Sequence, residues 1–168
     1  AEDIRQLLVN GEPERWTPLS EALLNFAARQ EHLEHTIRPA LARGAWVMCD
    51  RFVDSTMAYQ AHAGGVAPET IDDLTRMIVQ DTMPDLTLIL DLPVDVGLAR
   101  AHDRGDEENR FEKKGEAYHQ KLRSAFLDIA QTYPERCVVI DASGSIDDIH
   151  ARIWSAIETR LSVSQEAS

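Results

Sequence analysis

Lysine is scarce in this chain. Of its 17 basic residues only Lys113, Lys114 and Lys121 are lysines, and 29 acids bring the formal net charge to −12. That balance argues against nonspecific binding to nucleic acid or to acidic membranes, although local arginines can still receive an anionic small molecule. Long apolar runs are missing too: no stretch approaches the ~18 residues that a membrane helix needs. The acidic, helix-like opening Ala1-Glu2-Asp3-Ile4 is not a signal peptide, and without an initiating Met it reads as a fragment or a processed product. Cysteine is limited to Cys49 and Cys137, each within an apolar run, which suits buried free thiols in a reducing cytoplasm.

Several catalytic signatures are absent. There is no Gly-x-Ser-x-Gly elbow and no Cys/His pairing for a covalent nucleophile. His32 and His35 share a helical face, but no third ligand follows at a metal-binding spacing. None of the eight glycines precedes a lysine, so these residues contain no Gly-x4-Gly-Lys-Ser/Thr phosphate loop.

What is present is an alternation of short apolar runs and helical patterns. The runs are Ala45 to Cys49, Leu86 to Leu90 and Cys137 to Ile140, followed by Asp50, Asp91 and Asp141. Runs of this length suit strands buried on both faces, as in a parallel sheet. Helical spacing covers Ser20 to Leu41, where Pro39 should bend or end the helix, then Pro68 to Gln80, Phe111 to Tyr133 and Ile146 to Leu161. The fold class is α/β, in one domain over 1–161 with a polar tail at 162–168. Ligands in such sheets bind beyond the carboxyl ends of the strands, so the three aspartates are site candidates.

The strongest local signal is Cys49-Asp50-Arg51-Phe52-Val53-Asp54-Ser55-Thr56, with Tyr59 and Gln60 on the next turn. An acid here can hold Mg²⁺ or its waters, and an arginine can grip phosphate from two nitrogens. The alternative is an Asp-Arg pair that only caps the following helix. Arg100, Arg104 and Arg110 form a second cluster, suited to a lid over 100–112 or to a solvated surface loop. Arg29, one turn past Phe26, is either a binding residue or a salt-bridged structural one.

Together these segments resemble bacterial thymidylate kinases over nearly the whole chain. The resemblance is carried by Asp50-Arg51-Phe52 with Ser55-Thr56, Ala58-Tyr59-Gln60, Leu90-Asp91-Leu92-Pro93, Arg110-Phe111-Glu112, Glu21 to Arg29 and Ile37 to Leu41. It implies a three-layer α/β/α kinase that transfers the γ-phosphoryl of ATP to dTMP with Mg²⁺, in the cytoplasm, as a homodimer when complete. It further implies that Arg51 contacts the transferring phosphate and that Asp50 organises the metal. Arg29 and Thr56 would read the thymine edge, with Ser55, Tyr59 and Gln60 near the nucleoside. An aromatic would stack on the base close to Phe26, although Asn25 holds the position four residues before Arg29. Arg100, Arg104 and Arg110 would line the lid, and Ala142 and Ser143 would lie near adenine.

By the same resemblance the first two strands and the phosphate loop are absent, a βαβ unit of roughly 30 residues or more. The expectation is therefore a truncated, inactive chain with a slot in mid-sheet. The alternatives are another nucleotide kinase of the same fold, or a non-catalytic remnant that binds a nucleotide or a partner.

Overall fold

A computed structural model describes residues 1–9, 12, 14–104 and 114–161, with the side chains of 103 and 104 excepted. The expected tail at 162–168, the lid residues 105–112 and the Phe111 start of a helix lie outside the described residues. The elements run α1 (Glu2–Val9), α2 (Pro18–His32), a π-helical turn (Leu33–Ile37), α3 (Arg38–Ala42), α4 (Val53–Thr56) and a second π-helical turn (Met57–His62). They continue as α5 (Pro68–Ile78), β1 (Thr87–Asp91), α6 (Val94–Arg104), α7 (Glu116–Thr132), β2 (Cys137–Asp141) and α8 (Ile146–Leu161).

The strand that supplies β1 and the one that supplies β2 pair in parallel, Thr87 opposite Cys137 through Asp91 opposite Asp141. The crossover between them runs through α6 and α7. The third expected strand does not form: residues 45–49 are extended but lie in no ladder. A strand needs a neighbour to receive its backbone hydrogen bonds, and β1 pairs only with β2 among the described residues. Val47 turns inward against the core, while Trp46 is largely exposed and Met48 wholly so.

Helix α2 begins where its sequence says it should. Thr17 caps it, its hydroxyl accepting from the Ser20 amide at 3.3 Å, and Pro18 occupies the first turn, where its missing N–H costs nothing. Of the two outcomes expected at Pro39, a bend or an end, the helical path does not end there. The chain widens into the Leu33–Ile37 π turn, and Arg38 N–H bonds back to the Leu33 carbonyl five residues earlier. That wider register brings the chain to Pro39 without breaking the helical path.

Two hydrophobic clusters make the core. One gathers Ala22, Phe26, Leu33, Ile37, Ile71 and Val79 from α2, the first π turn and the α5 region. The other gathers Ala58, Ile89, Leu122, Ala125, Ile129 and Cys137, from the second π turn, the sheet and α7. Met57 packs against both. Arg38 ties the first cluster down by donating to the carbonyls of Ile78 and Val79 and to Thr82, while pairing with Glu34.

An ion pair joins the clusters. Asp54 on α4 takes two hydrogen bonds from Arg136, at 2.6 and 2.8 Å, and Arg136 also donates to Thr87 at 2.8 Å. Both side chains are mostly buried. Removing one partner leaves a buried charge uncompensated, so Arg136→Ala should cost about 3 kcal/mol. A lowered urea midpoint with an unchanged slope is the expected result; an unchanged midpoint would refute it.

The carboxyl end of the sheet carries depressed carboxylates. Asp91 is held below its ordinary 3.8 chiefly by hydrogen bonds from Arg123, and Asp141 by Ser143. Asp148 is lowered chiefly by the Ser145 hydroxyl, in the reciprocal box that caps α8, where Ser145 and Asp148 exchange side-chain and backbone bonds. Their folded values lie below their unfolded ones, so the stabilisation is full above 3.8 and lost as pH falls through the folded values. The melting temperature should therefore drop between pH ~5 and ~2.5, and less so in Arg123→Ala than in wild type.

Candidate functional site

The carboxyl ends of the strands, the segment 48–60 and one face of α2 enclose a cleft of about 900 Å³. Its walls include Asn25, Arg29, Asp50, Arg51, Phe52, Ser55, Thr56, Tyr59, Gln60, Asp91 and Arg123. Seven of the residues singled out by sequence for binding or catalysis therefore meet in one place: Arg29, Asp50, Arg51, Ser55, Thr56, Tyr59 and Gln60.

Chain geometry aims them. Arg51 sits at φ 71°, a left-handed conformation that costs a non-glycine residue about 1–2 kcal/mol. The Cys49 thiol donates to the Arg51 carbonyl at 3.3 Å across this turn. The exposed Arg51 guanidinium lies 5.2 Å from the Tyr59 ring centre and donates to its hydroxyl at 3.1 Å. Strain of this kind, held by surrounding contacts, concentrates at functional positions. Gly64 then lets the chain turn back beneath the second π segment, since a Cβ there would stand 2.7 Å from the Gln60 carbonyl.

Arg29 is the most deeply set cation of the cleft. Burial pushes its guanidinium down to about 10, against the counter-pull of Cys49 and Asp54, so it stays charged at neutral pH. Its centre lies 4.7 Å from the Phe26 ring centre and 5.1 Å from that of Phe52. Nη2 donates to the Thr56 hydroxyl at 3.0 Å, while Nη1 is buried with no partner. Among the described residues no carboxylate pairs with Arg29, so the salt-bridged structural reading is not what the fold adopts.

The three aspartates expected at strand ends have different circumstances, since only Asp91 and Asp141 end a strand. Asp91 is gripped from two sides by Arg123, at 2.7 and 2.9 Å, and Asp141 bonds Ser143 and pairs with Arg152. Asp50 is exposed and makes no hydrogen bond or ion pair with a described residue. A single free carboxylate suits Mg²⁺, which keeps several waters and takes one or two acids plus substrate phosphates. No group of three or more His, Cys, Asp or Glu that could hold a metal occurs among the described residues.

Other expected positions fall elsewhere. Phe26 is 1% exposed and belongs to the core, not to the cleft wall. Its ring supports the guanidinium of Arg29 from below, because it faces the first cluster; the neighbouring Asn25 lines the cleft instead. Arg100 donates to the Ala142 carbonyl at 3.0 Å, which brings α6 to the end of β2, and Ser143 caps Asp141 there; neither Ala142 nor Ser143 lines the cleft. The Arg104 side chain and all of Arg110 lie outside the described residues. Sequence reading gave no role to Phe52, Asn25, Arg123 or Glu21. The i, i+4, i+8 spacing of Glu21, Asn25 and Arg29 was the available signal for two of them.

The family model described as thymidylate kinase matches residues 1–153. The chain is 54% identical to the thymidylate kinase of Caulobacter vibrioides over 162 residues, 96% of this chain and 77% of that one. It is 47% identical to that of Magnetococcus marinus, over 98% of this chain and 78% of the relative, and 44% identical to that of Nitrobacter hamburgensis, over 100% and 74%. A crystal structure of thymidylate kinase from Ehrlichia chaffeensis superposes with a TM-score of 0.69 at 31% identity, covering 93% of this chain and 72% of the other. These matches do not bear out the expected truncation, missing strands or inactivity. No helix among the described residues is long and apolar enough to cross a membrane. Arginine-lined cleft, ordered motifs and relatives agree: the chain belongs to the thymidylate kinase family, whose members are nucleoside monophosphate kinases.

Proposed function

We propose that the cleft receives dTMP and that the chain serves transfer of the γ-phosphoryl of ATP to it, giving dTDP and ADP. The observation that carries this reading is the buried Arg29, whose Nη1 faces no acceptor although the rest of the guanidinium is clamped by Thr56, Phe26 and Phe52. A buried donor without a partner is costly, and a ligand oxygen at the base edge would satisfy it. Ser55, Thr56, Tyr59 and Gln60 line the same wall and would surround the nucleoside.

At the other end of the cleft, Arg51 would grip the acceptor phosphate through its fork of nitrogens. That phosphate is largely dianionic near neutral pH because its second pKa is about 6, so no general base is needed. Asp50 would hold Mg²⁺ directly or through water, and the ion would neutralise charge on the donor's phosphates. Transfer of this kind relies on positioning and charge neutralisation, to which Arg100, Arg104 and Arg110 would contribute from the lid. Ala142 and Ser143 are assigned to the adenine side. A cytoplasmic homodimer is the assembly that goes with this reading.

The 168 residues hold no Gly-x4-Gly-Lys sequence, so binding is the measurement that bears directly on the cleft. Isothermal calorimetry should show dTMP bound in preference to dGMP and to unphosphorylated thymidine. Arg29→Met should weaken dTMP about 10- to 100-fold, the worth of one buried charged hydrogen bond. Equal affinity for all three ligands would sink the assignment.

A further inference from the structure

Two polar rungs join α2 to the helical segment 53–62, and they run antiparallel. Arg29 meets Thr56, and Glu21, two turns earlier on α2, meets Gln60, one turn later on the other segment. Asn25 stands midway between Glu21 and Arg29 on the same face. The Glu21–Gln60 rung is buried: Glu21 is 3% and Gln60 2% exposed, and Gln60 Nε2 donates to Glu21 Oε2 at 2.9 Å. Asn25 Nδ2 donates to the main-chain carbonyl of the same Glu21 at 3.0 Å.

Both amides are therefore turned the same way. A carboxylate and a carbonyl can only accept, so each takes the nitrogen end of its amide. The end left over is in each case an oxygen, an acceptor, on residues that line the cleft. Neither amide oxygen has a partner among the described residues. Arg29, one turn past Asn25 on α2, lines the same cleft and carries the unpartnered donor Nη1.

We infer that Glu21 is a positioning residue for base selection: its carboxylate holds the Gln60 amide with the oxygen toward the ligand and so, together with the Asn25 amide that the main chain turns the same way, fixes the polarity of the cleft. An acceptor next to a donor complements the N3–H and O4 of a thymine edge. Cytosine presents the reverse, a bare N3 beside an amino group, and would set acceptor against acceptor and donor against donor. Glu21 touches no ligand in this scheme; its side chain acts through Gln60. The inference rests on the thymidylate reading of the cleft and deepens it to the choice between bases.

The test compares dTMP with dCMP by calorimetry on the whole chain. Wild type should favour dTMP strongly, since a site built to hydrogen-bond one edge leaves its polar groups unpaired with the other. Glu21→Gln keeps the size but accepts either end of the Gln60 amide, so the dTMP:dCMP ratio should narrow about ten-fold or more, chiefly through tighter dCMP. In a Gln60→Met background the same change at Glu21 should narrow the ratio much less, a coupling that a merely structural glutamate would not show. If Glu21→Gln does not fold, Glu21→Met with Gln60→Met removes donor and acceptor together and serves instead. Its ratio should fall to that of Gln60→Met alone. Wild type that does not bind dTMP overturns the functional reading itself. Wild type that discriminates, with an undiminished ratio in the Glu21 variants, overturns the role of Glu21 alone.

Discussion

The buried pair of Asp54 and Arg136 is the interaction on which the remaining architecture depends. Asp54 sits on the short helix that carries Ser55 and Thr56, and Arg136 stands one residue before β2. One hydrophobic cluster lies on the α2 side and the other on the sheet side, and Met57 alone reaches both. The helical segment that bears the binding residues is packed on both sides, Val53 and Ala61 in the first cluster and Ala58 in the second, and the ion pair adds the polar tie to the residue before β2. Breaking such a pair is expensive chiefly because the abandoned partner keeps its charge in a poorly solvated place.

From that anchored helix the cleft follows by a chain of local constraints. The left-handed turn at Arg51 brings the chain out of the extended segment 45–49 and leaves Asp50 and Arg51 at the rim. The π-helical turn over Met57–His62 rotates Tyr59 toward Arg51 and Gln60 toward Glu21. π segments break the regular helical register and tend to occur at functional sites. Arg29 completes the wall by lying between two aromatic rings, where the quadrupoles of Phe26 and Phe52 help to hold a desolvated cation. The cleft is thus polar at its rim and increasingly constrained toward its floor.

The charge pattern agrees with this division. A net charge of −12 repels diffuse polyanions, while the few cations that face the cleft are arginines whose geometry is fixed by neighbours. Arg123 illustrates the structural use of the same residue type. It spends its fork on Asp91 and holds α7 against the end of β1, whereas Arg51 and Arg29 keep nitrogens for other partners. A count of arginines does not separate these uses, because only the neighbours of each guanidinium decide what remains of its hydrogen-bonding capacity.

The fold class, two strands, most of the helices and the motif from Asp50 to Gln60 are legible in the residues alone. Those features are local: periodicity, a capping threonine before Pro18 and a strand-end aspartate are written within a few residues. The sequence also placed Arg29 and Thr56 in one site through the family resemblance. The remaining features depend on packing. Residues 45–49 are apolar enough for a strand, yet a ladder depends on what lies beside them. Phe26 is one residue from a cleft position, and a rotation of about 100° per residue along the helix turns it to the core and Asn25 to the wall. Whether an aspartate is free is equally nonlocal: Asp91 and Asp141 meet arginines 32 and 11 residues away, and Asp50 meets none among the described residues. The polarity that Glu21 imposes on Gln60 crosses 39 residues of chain. The physical reason is that hydrogen-bond satisfaction belongs to pairs brought together by packing, and no single stretch of sequence contains both members.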